Sequence, residues 1–241
     1  MNFQFLELLV SGSPTEIRVK DCSWLTEEQL YKALVKCDTT KLTVLQLDIC
    51  GRCMHDRILS GTLAKSPNCL PALSAISLRG ASHFLHAGFK SLVASAPGLN
   101  SINLGHCSLL TTTDILILAD NLGKVLKELY IDDCHNIDVM SILKVLNNLQ
   151  HLEVLSVAGI PSVCNDFVCR LVAARGPNLK ELYLADCERL TDVSVKAIAA
   201  SCSELRVLDL VNLTKLTDSS VRYLSNGCRF LQKFRLRCNI F

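Results

Sequence analysis

One short apolar phrase, L-x-x-L-x-L-x-x-C, returns along almost the whole chain and restricts its fold more than any other feature. It reads Leu42, Leu45, Leu47, Cys50; then Leu73, Ile76, Leu78, Ala81; then Leu99, Ile102, Leu104, Cys107. It continues as Leu126, Leu129, Ile131, Cys134; Leu152, Leu155, Val157, Ile160; Leu179, Leu182, Leu184, Cys187; and Leu205, Leu208, Leu210, Leu213. A degenerate copy opens the series at Pro14, Ile17, Val19, Cys22, and a cut-off copy closes it at Leu231, Phe234, Leu236, Asn239. From Leu73 onward successive copies begin 26 or 27 residues apart. The copy at Leu42 is longer, 31 residues to Leu73, which predicts a bulge within 51–57 or 61–71.

The spacing has a physical cause. In L-x-L two apolar residues flank one that faces away, the period of a strand. The second half of each unit changes period. Leu30, Ala33, Leu34, Cys37 stand at i, i+3, i+4, i+7, as do Ile115, Leu118, Ala119, Leu122 and Ile142, Val145, Leu146, Leu149. Val195, Ile198, Ala199, Cys202 repeat the set, and Val221, Leu224, Ser225, Cys228 nearly do. Each set is one face of a short helix. Thr191-Asp192 and Thr217-Asp218 stand where a side-chain oxygen can accept from the open N–H groups of a helix start. A unit of strand, turn and helix cannot bury its own apolar face, so copies must stack. The fold class predicted is therefore α/β: a horseshoe-shaped leucine-rich-repeat solenoid with a concave parallel sheet and convex helices. Residues 1–13 are expected as an N-terminal lead-in, and residues 14–241 as one repeat domain of about eight full repeats and a cut-off ninth. The cysteine after each strand should turn inward as a small, weakly polar core residue.

Composition excludes several classes. Hydrophobic residues make up 49% and charged residues 20%, which is incompatible with a disordered chain. The net charge of +2 is too small for a general nucleic-acid surface, so direct nucleic-acid binding is not expected. No apolar run reaches the length needed to span a bilayer, and residues 1–10 carry Glu7 and no basic start, so neither a membrane span nor a signal peptide is predicted. Thirteen cysteines, an odd number mostly at one phase of the repeat, read as reduced thiols in a nuclear or cytoplasmic protein.

The copy from Leu179 to Cys202, with Cys187 and Leu190-Thr191-Asp192, resembles the cysteine-containing leucine-rich repeats of F-box/LRR-like proteins. A narrower resemblance runs through 13–17, 21–29, and Leu45-Gln46-Leu47-Asp48 with Cys50-Gly51-Arg52-Cys53. It is to plant proteins similar to the yeast-type rhp-seven DNA-repair leucine-rich-repeat protein. The first resemblance implies partner or substrate recognition within a Skp/cullin-type (SCF) ubiquitin ligase and ubiquitin-dependent protein catabolism. The second implies a scaffold acting with chromatin or repair factors in nucleotide-excision repair. Only about a dozen residues precede the first copy and the last ends in a strand, so either association is expected through a longer parent protein.

Residues flanking the inward leucines should face the concave surface in three columns. The middle one reads Arg18, Gln46, Ser77, Asn103, Tyr130, Ser156, Tyr183, Asp209, Arg235. On one side run Glu16, Val44, Ala75, Ser101, Glu128, Val154, Glu181, Val207, Lys233, and on the other Lys20, Asp48, Arg79, Gly105, Asp132, Ala158, Ala185, Val211, Arg237. Tyrosine is a frequent interface anchor. The candidate partner-binding residues are therefore Glu128, Tyr130, Asp132, Glu181, Tyr183 and Asp209, and the expected partner is a basic or mixed protein segment. The alternative is an ordinary solvated sheet face. Basic residues gather at the two ends, as Arg18 with Lys20 and as Lys233, Arg235 and Arg237, rather than in the continuous stripe that phosphates require.

Neither a catalytic residue nor a cofactor or metal is predicted. Cys50-x-x-Cys53 with His55 has no second ligand pair, and reads as a core cysteine beside a loop cysteine. His106 and His135 adjoin Cys107 and Cys134, but a thiol aimed into the core cannot act as a nucleophile. The phosphate-loop, G-x-S-x-G and H-E-x-x-H motifs are absent from the sequence.

Overall fold

The computed structural model describes residues 3–84 and 86–237. In chain order its elements are α1 (Phe3–Val10), β1 (Glu16–Val19), α2 (Glu27–Leu34), β2 (Val44–Leu47), α3 (Asp56–Gly61), β3 (Ala75–Ser77), α4 (His86–Ser95), β4 (Ser101–Asn103) and α5 (Thr112–Leu122). They continue with β5 (Glu128–Tyr130), α6 (Val139–Asn148), β6 (Val154–Ser156), α7 (Asn165–Arg175), β7 (Glu181–Tyr183), α8 (Asp192–Ser201), β8 (Val207–Val211), α9 (Asp218–Gly227) and β9 (Lys233–Arg237). Asn239, the last position of the cut-off copy, lies outside the described residues.

The strands form one parallel sheet in sequence order, each pairing with the copies before and after it. Identical repeat positions face each other: Leu129 pairs with Leu155 and Leu155 with Leu182, all three fully buried. Their neighbours Ile131, Val157 and Leu184 are equally buried beneath them. Helices need about 8–10 Å of lateral room and strands only about 4.8 Å, so stacking bends the array with the sheet inside.

A left-handed residue ends each strand segment from the second copy to the eighth. Ile49, Gly80, His106, Asp133, Gly159, Asp186 and Asn212 all have φ between 52° and 79°. Each stands one residue before the inward Cys, Ala, Ile or Leu of its phrase. The reversed φ turns the chain off the sheet while its N–H still donates to the next repeat, as from Asp133 to Ala158 O at 2.8 Å. Gly, Asp, Asn and His tolerate that conformation, whereas the β-branched Ile49 is strained in it. The turn then delivers the cysteines to the core. The thiols of Cys107, Cys134 and Cys187 lie 3.4, 3.2 and 3.5 Å from carbonyls one repeat earlier. Burial pushes their pKa up, to about 11 for Cys107 and about 12 for Cys134 and Cys187.

Helix starts are tied between repeats. Thr191 and Thr217 cap α8 and α9 by accepting from Val193 N and Ser219 N. Asn165 Oδ1 accepts from Thr191 N at 3.0 Å, and Asp192 Oδ1 accepts from Thr217 N at 3.0 Å, so each cap is held by the preceding helix.

Three details depart from the sequence reading. Residues ahead of the first phrase form α1, which packs Leu6 and Val10 into the core beside α2. The surplus of the longer copy falls on the second of the two expected segments, in the irregular connection 62–74, while 51–57 holds a 3-10 turn (Gly51–Cys53) and the start of α3. Cys53 is not a loop thiol: it is 4% exposed and its Sγ lies 2.8 Å from Cys50 O. Val221 is 47% exposed and Ser220 takes the inward position, donating to Asp192. α9 is the last helix of the stack among the described residues, so a polar link to α8 sets its rotation rather than apolar contact on both sides.

Candidate partner-binding face

The predicted columns that start at Glu16 and Arg18 lie in register across the sheet, and the third, at the strand ends, pairs as Val211 with Arg237. Tyr130 pairs with Ser156 and Ser156 with Tyr183, while Glu128 pairs with Val154 and Val154 with Glu181. Two strand spacings amount to about 9.6 Å. The ring centroids of Tyr130 and Tyr183 are only 6.4 Å apart, tilted by 45°, so the rings lean together over the small Ser156 between them. Ser156 is consequently 3% exposed and Val154 6%. The Tyr183 hydroxyl donates to Glu181 Oε2 at 2.6 Å, and Ser101 Oγ donates to Glu128 Oε2 at 2.7 Å. Burial, followed by the charges of Glu128 and Glu181, pushes the Tyr130 phenol up; burial and the bond to Glu181 do the same for Tyr183. Both rings are therefore neutral phenols at physiological pH. Among the described residues neither Glu128 nor Glu181 has a basic side chain in contact.

The other two candidates are occupied by the sheet itself. Asp132 accepts from Ser156 Oγ and from Ala158 N, and burial leads its pKa upward. Asp209 is 8% exposed; it accepts from Val211 N at 3.1 Å and pairs with Arg235 at 3.3 Å. Four of the six candidates thus form one cluster, and two brace neighbouring strands. At the first end of the face Arg18 is paired with Glu16 at 2.8 Å. Between that pair and the tyrosines, the small residues Ala75, Ser77, Ser101 and Asn103 leave a shallow depression.

Away from this face, His55 begins α3 and stacks on His83 with centroids 5.0 Å apart, its Nε2 3.8 Å from Glu27. Among the described residues no three His, Cys, Asp or Glu side chains converge as metal ligands, and no helix is long and apolar enough to cross a membrane. Sequence reasoning did not link the turn residues His106 and Asp133 to the column residue Arg79. The three form a row, with Arg79 Nη2 2.6 Å from His106 Nε2 and His106 Nδ1 3.3 Å from Asp133. A guanidinium can only donate, so His106 accepts at Nε2 and donates from Nδ1.

No family model matches the chain. Over 205 residues it is 26% identical to the DNA repair protein rhp7 of Schizosaccharomyces pombe, covering 81% of this chain and 34% of that protein. The chain thus spans about a third of the length of that relative. Among solved structures it is similar to Rad7 in the yeast Rad7–Elc1 complex, with 19% identity and a TM-score of 0.56, over 98% of this chain and 72% of that one. It is also similar to the leucine-rich repeat-containing protein LegL7 of Legionella pneumophila, with 12% identity and a TM-score of 0.53, over 93% and 73% of the two chains. The fold is the leucine-rich-repeat solenoid. Neither the rhp7 match nor these structures bear on the narrower resemblance to plant proteins.

Proposed function

We propose that this leucine-rich-repeat chain is a protein-binding module that holds its partner on the concave face and serves a DNA-repair assembly. The observation that carries the binding reading is the Tyr130–Tyr183 pair, flanked by two carboxylates without basic partners among the described residues. Half-buried aromatic rings beside unneutralised charge form a surface that gains from being covered. The likeness to rhp7 supports the repair setting, in which the partner is a chromatin or repair factor and the module acts in the nucleus. A second reading has its own support. The copy from Leu179 to Cys202 resembles F-box/LRR-like repeats, which favours substrate recognition in a Skp/cullin-type ubiquitin ligase, through a longer parent protein in nucleus or cytoplasm. Neither reading assigns the chain a catalytic step, a cofactor or nucleic acid as its own ligand.

Proximity labelling in cells, with the wild-type chain and a Tyr130→Ala/Tyr183→Ala variant, tests both parts. Enrichment of repair factors that is lost in the variant is the expected result; cullin adaptors in their place would transfer the assignment to the second reading. Equal labelling by both chains would remove the concave face as the binding surface.

A further inference from the structure

We infer that the patch formed by Tyr130, Tyr183, Glu128 and Glu181 recognises an arginine side chain of the partner, and that it selects arginine over lysine. The inference rests on the concave-face reading and adds the chemistry of the contact. Ser101 takes one oxygen of Glu128 and Tyr183 takes one oxygen of Glu181, in each case Oε2. Tyr130 also bonds to Glu128. Neither carboxylate has a basic side chain in contact among the described residues, so two unneutralised charges flank the same buried Val154. Beside them the two tilted rings offer neutral aromatic faces. A planar group with donors on several edges satisfies all of these at once. A guanidinium stacks on a phenol ring and still directs N–H groups to both sides, whereas an ammonium is a compact, strongly hydrated point charge.

The chain has a guanidinium close by, but it is held elsewhere. Arg235 lies two strands beyond Tyr183 and pairs with Asp209 on the strand between, which leaves the patch to a residue from outside.

The test uses two labelled peptides of equal length, one alternating arginine with glycine and one alternating lysine with glycine. Binding to the full chain is read by fluorescence anisotropy at about 0.15 M salt, where surface charge attraction is largely screened. The arginine peptide should bind about tenfold more tightly than the lysine peptide, the scale of a stacked cation on an aromatic face. Glu128→Gln with Glu181→Gln, which preserves side-chain shape, should abolish that preference without changing the circular dichroism spectrum. Equal binding of both peptides would overturn the inference. So would peptide binding untouched by the glutamine substitutions. If neither peptide binds while partner labelling still depends on Tyr130 and Tyr183, the arginine assignment falls and the concave-face reading stands. If labelling is also independent of the tyrosines, both fall.

Discussion

Gly159→Ala is the sharpest probe of the turn that builds this solenoid. Gly159 has φ of +67°, and a Cβ placed there would run into the Asp133 carboxylate of the preceding repeat. Gly80 sits at the same step of its own repeat with φ of +79°, but its Cβ would meet Ile49 Cα at an ordinary 3.4 Å. Gly80→Ala therefore isolates the backbone cost of a left-handed alanine, about 1–2 kcal/mol. Gly159→Ala carries that cost and must also displace Asp133, breaking its 3.3 Å contact with His106. That contact is partly exposed, so the surcharge is about 1 kcal/mol at most. Asp133→Gly removes the obstructing carboxylate and relaxes its own φ of 54°. In that background Gly159→Ala should cost no more than Gly80→Ala. Urea unfolding followed by far-UV circular dichroism gives the four free energies of the cycle, provided the slope m is unchanged. In thermal melts each kcal/mol appears as about 2–4 °C for a chain of this size. Distant, independent sites add to within about 0.3–0.5 kcal/mol. If the cost of Gly159→Ala is the same with and without Asp133 to within that margin, the steric argument is wrong. If Gly80→Ala is neutral, the left-handed turn is not a constraint.

Three further outcomes follow from the packing. Leu155→Ala, in the middle of the stacked row, should cost about 2–5 kcal/mol, and the partly exposed Leu236 of the last strand much less; equal losses would refute a shared core. Cys134 and Cys187 should resist a thiol reagent until the protein unfolds, because burial raises both to about 12. A thiol raised from the ordinary 9.0 contributes stability that is complete below pH 9 and lost as pH climbs from 9 toward 12, so the urea midpoint should fall over that window; a flat profile would show these thiols already solvated. Asp192→Ala removes the acceptor of Thr217 N, Thr217 Oγ1 and Ser220 Oγ and should cost about 1–2 kcal/mol, with faster hydrogen exchange confined to α9; unchanged exchange there would mean that apolar contact alone docks the helix.

The concave columns could be read from sequence because tandem copies supply their own alignment: identical positions must pair, so strand period and repeat phase together give the sheet register. Ser156 between Tyr130 and Tyr183 was visible in that column, and with it the gap over which the rings lean. The fates of Asp132 and Asp209 were not visible. Both lie in the predicted columns, but their hydrogen bonds go to Ser156, Ala158 N, Val211 N and Arg235, and such choices depend on side-chain rotamers that periodicity does not encode. α1 escaped because it precedes the first phrase, although Phe3, Leu6 and Val10 already stand on one helical face. The left-handed row did leave a signal. Gly80, His106, Asp133, Gly159, Asp186 and Asn212 are residues that accept positive φ, gathered in the column before the inward residue, and Ile49 breaks the pattern.

On the proposed reading, stability and recognition are divided among different side chains. The inward leucines, the left-handed turns and the capping oxygens are used in joining one repeat to the next, and even the concave aspartates brace strands. Glu128 and Glu181 are different, since neither has a basic partner among the described residues. Replacing either with glutamine deletes a charge without deleting volume, and should move the unfolding free energy by no more than about 0.5 kcal/mol, as surface changes do. Gly159→Ala should do the reverse, lowering stability while leaving the Tyr130–Tyr183 pair intact. If the glutamine variants proved as damaging to folding as the turn variant, the carboxylates would be part of the scaffold, and the surface left for a partner would have to be sought on another face.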